Sequence, residues 1–145
     1  MKTILYDTSV LLPLIVEAHP NHEDVYDLNN AHINKNANVF IVTHTIAEFY
    51  RHITSGRKYL MYDSDQAHEV IKEEIVSHFS IVDLTTDDYL SVIKAMNKLS
   101  LVGAIVYDGL VAYAAQKIEA DEVVTYNIKD FQRVWPLTNA DLIEP

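Results

Sequence analysis

A length of 145 residues fits one domain and leaves little room for a second, and 49% hydrophobic against 22% charged residues excludes a disordered or collagen-like chain. Without cysteine, neither a disulfide framework nor a thiolate metal site can form, as suits a reducing cytoplasm. The net charge of −10 excludes a protein that holds nucleic acid by bulk electrostatics. It does not exclude one that cuts nucleic acid, because catalytic carboxylates add negative charge that a bound divalent cation neutralises locally.

Thr3 to Tyr6 is a short apolar run of the kind that forms a buried parallel strand. Thr8 or Ser9 is placed to cap a helix running through Leu11 to Glu17, with Pro13 then expected in its first turn. The apolar run Val10 to Val16 is too short to span a bilayer, and its acidic flanks Asp7 and Glu17 argue against a signal peptide. A polar helix follows over Asn21 to His32, then a loop from Asn34 to Asn38. Val39 to Val42 reads as a second strand. Thr43 or Thr45 starts a helix carrying Ile46, Phe49, Tyr50 and Ile53, which Ser55-Gly56 ends. Asp63 to His78 has helical spacing, with Ala67, Val70, Ile71 and Ile75 on its apolar side. Ile81 to Leu84 is a strand, and Thr85-x-x-Asp88 is a capping pattern opening a helix to Leu99. Val106 to Ala115 is an apolar, Ala-rich helix; Val123 to Thr125 is a strand, and Trp135 to Leu137 is read as a last edge strand. No repeat or linker interrupts the chain, so residues 1–145 are taken as one unit. Strands alternating with helices predict an α/β fold, a central parallel sheet with helices on both faces, whose sites form beyond the carboxyl ends of the strands.

Acidic residues fall at those ends. Asp7 directly follows the first strand, Glu48 lies in the first turns of the helix after the second, and Asn127 and Asp130 follow the Val123–Thr125 strand. Asp108 sits early in the apolar helix, where an ionised carboxylate is costly unless paired or bound to metal. Singly, each has a plain structural explanation: Asp7 as a helix cap, Glu48 as the partner of Thr45 in a capping box, Asp130 as a solvated loop residue. Together they do not. Two carboxylates about 4 Å apart at an effective dielectric of 20 repel by roughly 4 kcal/mol, and a fold tolerates that by protonating one of them or by binding a cation. Hard oxygen donors without Cys or a paired-His motif favour Mg²⁺ or Mn²⁺ over Zn²⁺. Such a site activates water and stabilises charge on a phosphodiester.

The same residues carry a family resemblance. Ile4-Leu5-Tyr6-Asp7-Thr8-Ser9, Thr45-Ile46-Ala47-Glu48, Tyr107-Asp108-Gly109-Leu110 and Val124-Thr125-Tyr126-Asn127-Ile128-Lys129-Asp130 resemble, in order and spacing, the four motifs of PIN domains, and specifically of the ribonuclease toxins of VapC-type toxin–antitoxin pairs. The resemblance runs over nearly the whole chain and implies a PIN-like α/β/α sandwich. It implies Asp7 and Asp108 as ligands of Mg²⁺ or Mn²⁺ and Glu48 as a ligand or water-positioning base. Ser9 or Thr8 would offer a hydroxyl to the metal shell, and Thr125 would orient a carboxylate. It implies RNA hydrolysis to a 5′-phosphate and a 3′-hydroxyl, a cognate antitoxin that covers the site and places an Arg among the carboxylates, and a homodimer. The departure lies in the fourth motif, where many members have an acid and this chain has the uncharged Asn127. Asp130 nearby either compensates for it or only stabilises the turn, and one metal is expected rather than two.

Arg51, Arg57 and Lys58 follow the Glu48 helix and are either contacts to backbone phosphates or solvated surface charges, the two readings standing about equal. Among the histidines, His22-Glu23 begins like a zincin motif, but Tyr26 occupies the place of the second His; His44 and His52 are read as surface or structural groups. Tyr50, Tyr59 and Tyr62 are read as amphipathic packing. A haloacid dehalogenase-type phosphatase needs a second Asp where Ser9 stands, a receiver domain needs its acids in a different order, and no Gly-rich phosphate loop is present. The sequence therefore predicts a cytoplasmic, metal-dependent endoribonuclease. The alternative, which Asn127 motivates, is a PIN-fold RNA- or protein-binding module with weak catalysis.

Overall fold

The computed structural model describes residues 1–145. The strands are β1 (Thr3–Tyr6), β2 (Asn38–Val42), β3 (Ser80–Val82), β4 (Glu122–Val124) and β5 (Asp141–Ile143). The helices are α1 (Thr8–Ile15), α2 (His22–Asn34), α3 (Thr43–Ile53), α4 (Ser64–Val70), α5 (Thr86–Leu99), α6 (Ile105–Lys117) and α7 (Ile128–Val134). All strand pairings are parallel, in the order β3-β2-β1-β4-β5. The fold is thus the α/β class that the alternation of strand and helix predicts.

Period-2 alternation sends neighbouring strand residues to opposite faces, and both faces are apolar, as in a sheet covered on both sides. Leu5, Val42, Val82 and Val123 pack under α5, α6 and α7 together with Val92, Leu110, Ala114 and Phe131. Ile4, Tyr6, Ile41 and Val124 pack under the other helices with Val10, Leu11, Val25, Phe49, Ile53 and Ala67. The register aligns Tyr6 with Val124 and Leu5 with Phe40, so the carboxyl ends of β1, β2 and β4 lie level. From β1 the chain builds the sheet one way to β2 and β3, then crosses back to β4 and β5. The reversal falls between β1 and β4, where open α/β sheets form a crevice.

Local boundaries differ from the sequence expectation in ways that bear on the site. Asp7, rather than Thr8 or Ser9, is the N-cap of α1, and α1 ends at Ile15 rather than Glu17. Pro13 lies inside α1 and not in its first turn, at the cost of the bond its N–H would have made to the Ser9 carbonyl. The helix predicted over Asp63–His78 is α-helical to Val70 and π-helical over Ile71–Val76. Trp135–Leu137 is a 3-10 turn, and the edge strand is β5. Pro136 cannot donate to a sheet ladder, and Trp135 instead packs edge-on against Phe131. The Thr85/Asp88 capping box is present. Gly109 lets α6 approach α5 closely: a Cβ there would stand 2.7 Å from Met96 Cε and 3.2 Å from Val92 Cγ1.

Candidate active site

Asp7 is anchored at the sheet's switch point. Its N–H donates to the Val124 carbonyl, continuing the β1–β4 ladder by one residue. Its Oδ2 accepts from Ser9 Oγ and from Thr125 Oγ1, each at 2.8 Å, and more weakly from the Ser9 N–H. The two hydroxyls are themselves fixed, since Ser9 Oγ accepts from the Tyr126 N–H and Thr125 Oγ1 from the Asn127 N–H, both at 3.0 Å. Each hydroxyl has one proton, and both protons go to Asp7, which suits an acceptor-only carboxylate. Residues from β1, α1 and the end of β4 thus hold one oxygen of Asp7, only 5% exposed, and leave Oδ1 unengaged.

Glu48 is not spent on helix capping. Helix α3 starts at Thr43, with Val42 as N-cap and no side-chain cap, so the Thr45/Glu48 capping box that the spacing allows does not form. Glu48 falls in the second turn, and the Thr45 hydroxyl is buried without a partner. The Glu48 carboxylate accepts a long bond from Thr8 Oγ1 (3.4 Å) and lies 3.5 Å from His44 Nε2. Burial, and next the charge of Asp7, raise its pKa. His44 is pushed down by burial, so at neutral pH it brings no countercharge; its ring stacks on Tyr107 at 4.6 Å.

Asp108, in the first turn of α6, is the most perturbed acid. It is pushed up to about 7, first by burial and then by the charges of Asp7, Asp130 and Glu48. Perturbed carboxyls of this kind cluster at functional sites, which makes Asp108 a candidate.

Asp7, Thr8, Ser9, Glu48, Asp108 and Asn127 line one cavity of about 350 Å³. Thr125 lies beneath it, holding Asp7. Asn127 is the N-cap of α7 but makes no side-chain cap bond, so its amide is not committed to the helix. Asp130 does not line the cavity; it borders an adjoining surface depression with Asn127 and Gln132, is about half-exposed and lies 3.9 Å from Arg133. Arg51 lines a neighbouring groove with His44, Glu48 and Tyr107. Arg57 and Lys58 sit exposed in the turn between α3 and α4 and line none of these pockets.

The cavity also contains His19 and Asn21, which the sequence reading passed over as site residues, and His52, which it read as a surface or structural group. His52 carries a usable signal, because it stands one helical turn after Glu48 and i,i+4 residues share a face. His19 and Asn21 lie in the α1–α2 connection, and only the fold brings them in. His44, read with His52 as a surface or structural group, stands 3.5 Å from Glu48.

The oxygen donors suit a hard divalent cation in kind: three carboxylates, three hydroxyls and two amides, beside the imidazoles of His19 and His52, with no sulfur and no Lys or Arg in the lining. It is an open set. No group of three or more acidic or imidazole side chains is closed tightly enough to enclose an ion by itself, so solvent or substrate oxygens would complete any coordination. Mg²⁺ characteristically keeps such outer ligands.

The fold is thus a parallel α/β sheet with an acidic cavity at its switch point. The chain belongs to the PIN-domain family, whose model matches residues 4–135. Solved structures share the fold. VapBC2 from Rickettsia felis, bound to a DNA fragment from its promoter, is 22% identical with a TM-score of 0.68, over 99% of this chain and 98% of that one. VapC20 from Mycobacterium tuberculosis, a toxin that cleaves the sarcin–ricin loop, is 12% identical with a TM-score of 0.70, over 88% of this chain and 92% of that one. DNA-bound VapBC from Salmonella typhimurium is 18% identical with a TM-score of 0.65, over 99% and 98% of the two chains. No curated protein matches the chain in sequence. No helix is long and apolar enough to cross a membrane.

Proposed function

We propose that this chain is a single PIN domain acting as a Mg²⁺- or Mn²⁺-dependent endoribonuclease, the toxin of a cytoplasmic toxin–antitoxin pair. One observation carries the reading: Asp7, Glu48 and Asp108 line one cavity that contains no cationic side chain, and Asp108 is pushed up to about 7 there. The bound cation supplies neutralisation of phosphoryl charge and a lowered pKa for water. Asp7 and Asp108 are the residues that would hold it.

The protein's own part is positioning and proton transfer. Ser9 and Thr125 fix the rotamer of Asp7, so its free oxygen is preorganised. Thr8 steers Glu48, whose raised pKa makes it a better proton acceptor than an ordinary carboxylate; Glu48 positions the attacking water and takes its proton. Asn127 keeps a polar donor and acceptor in the cavity without adding a fourth negative charge, which supports one cation rather than two. Asp130, outside the lining, acts on Asp108 through charge alone. Arg51, in the groove beyond Glu48, is the one of the three basic candidates placed to meet an RNA backbone at the site. The cognate antitoxin would mask the cavity with an Arg among the carboxylates, a charge-assisted pairing. The active toxin is a homodimer in this proposal.

The test is cleavage of an end-labelled RNA pool with Mn²⁺, comparing the wild type with Asp7→Ala. Metal-dependent cutting that the variant loses supports the proposal. No cutting by the wild type across several pools and metals sinks it in favour of a PIN-fold binding module, the reading that Asn127 favours.

A further inference from the structure

The cavity poses an electrostatic problem. Its lining has three carboxylates and no Lys or Arg, yet an RNA strand brings more negative charge. Even with a cation beside the carboxylates, the strand needs donors on the remaining surface. That surface carries His19, Asn21, His52 and Asn127, all groups that donate hydrogen bonds while uncharged.

His19 is the most defined of them, because the structure fixes its tautomer. Its Nδ1 lies 3.0 Å from the Asn21 backbone N–H. A backbone N–H only donates, so Nδ1 must be the unprotonated acceptor, and the proton of the neutral ring sits on Nε2. His22, three residues on, shows the opposite state: its Nδ1 lies 2.7 Å from the Pro13 carbonyl, which only accepts, so that Nδ1 carries the proton. The pair divides the labour. His22 ties the connection to α1, and His19 presents Nε2–H, for which the protein holds no partner. The backbone of His19 is hydrogen-bonded on both sides, its N–H donating to the Val16 carbonyl and its own carbonyl accepting from the His22 N–H, both at 3.0 Å. Tyr59 meets the ring edge-on at 5.6 Å.

We infer that His19, through Nε2–H of a neutral ring locked by the Asn21 N–H, is a substrate-positioning residue that donates to a nonbridging phosphate oxygen of the RNA strand. Phosphate oxygens are the commonest targets of such positioning contacts. A neutral donor also suits a cavity that a cation must share, since it holds the strand without competing for the carboxylates. The inference rests on the ribonuclease reading for its substrate class.

Two substitutions separate this role from a structural one, because each keeps one half of the imidazole. In His19→Asn the side-chain oxygen can replace Nδ1 as acceptor for the Asn21 N–H, but the Nε2 donor is gone. In His19→Gln the amide nitrogen reaches the Nε2 position, and the acceptor near the backbone is lost. The measurement is the dissociation constant of a fluorescently labelled single-stranded RNA pool by anisotropy, with Ca²⁺ as the divalent ion. A phosphate donor predicts that His19→Gln binds within about threefold of the wild type and His19→Asn about tenfold more weakly, as loss of one hydrogen bond to a charged group implies. A merely structural histidine predicts the reverse order, and that order, or three equal constants, overturns the inference. Long-range ¹H–¹⁵N spectra of histidine-labelled protein at pH 7 give an independent reading, and a proton on His19 Nδ1 overturns it as well. Cleavage of the same pool with Mn²⁺ tests the nuclease separately. If the wild type fails to cut while the binding order holds, the ribonuclease reading falls and the donor stands. If the wild type cuts while His19→Asn binds normally, the donor falls and the ribonuclease reading stands.

Discussion

Asp88 and Asp108 occupy similar positions in adjacent, mutually packed helices, each in the first turn of its own, and the structure treats them in opposite ways. Asp88 accepts from the Thr85 N–H at 2.8 Å, from the Tyr113 hydroxyl at 3.1 Å and from Lys117 Nζ at 2.6 Å. The Lys117 and Thr85 contacts, foremost, hold its carboxyl down at about 2. Asp108 has no such donors. Burial and three neighbouring carboxylates push it up to about 7. A helix N-terminus favours negative charge in both, so the macrodipole does not distinguish them; the partners do. A carboxylate with donors on both oxygens, one of them a cation, is part of the scaffold. One left unsatisfied among like charges carries a cost that protonation or a bound cation would relieve.

The largest effect expected from this contrast is on catalysis. Asp108→Asn should lower kcat for RNA cleavage by at least roughly 10²–10³-fold, with the far-ultraviolet circular dichroism unchanged, whereas Asp88→Asn should leave kcat within about twofold. Equal losses from the two substitutions would erase the distinction between scaffold and site.

Cation binding comes next. Saturating Mn²⁺ at pH 8 should raise the wild-type Tm by several degrees, about 2.7 kcal/mol at a hundred times Kd. The increment should shrink as the pH falls below about 7, where Asp108 takes up a proton. Asp88→Asn should keep the increment and Asp108→Asn should lose most of it. A shift that ignores both pH and substitution would place the cation elsewhere.

The metal-free pH profile of stability sharpens the comparison through its sign. A carboxyl whose pKa is raised on folding contributes stability that is present in acid and lost as the pH rises, here from about 4 to about 7 through Asp108. A carboxyl whose pKa is depressed contributes stability that is lost as the pH falls, here from about 4 toward about 2 through Asp88. Thermal scans of the metal-free protein should therefore show Asp108→Asn gaining roughly 3–5 °C over the wild type at pH 8 and little at pH 4. Asp88→Asn should lose Tm at both, and lose the acid limb with it. The smallest effect is that of Asp130→Asn. The residue is exposed and reaches Asp108 only through space, so kcat should change by less than about threefold while the acid-side inflection of the pH–rate profile, where Asp108 takes up its proton, moves slightly down.

Much of this protein is legible from sequence because local chemistry repeats its own pattern. The apolar run of β1, the alternation of strand and helix, the Thr85/Asp88 cap and the order of the four motifs each depend on residues close together in the chain. Boundaries were less legible where tertiary packing overrides a local preference. Thr45-x-x-Glu48 has the spacing of a capping box, yet α3 begins at Thr43, because β2 runs straight into the helix and the start is set by the strand. Trp135–Leu137 has strand composition, yet Pro136 and the Trp135–Phe131 contact turn it into a 3-10 turn.

By itself the sequence determined the α/β class, the PIN resemblance and the identity of the acids, since each follows from spacing along the chain. Only the tertiary structure decided which acids share a cavity and which stand outside it, because that depends on the β1–β4 switch point bringing residues more than a hundred positions apart within hydrogen-bonding distance, as in Thr125 and Asp7. It alone placed His19 and Asn21 in the same cavity and gave His19 its tautomer, since a proton's position on an imidazole is set by the group that the fold puts against the other nitrogen.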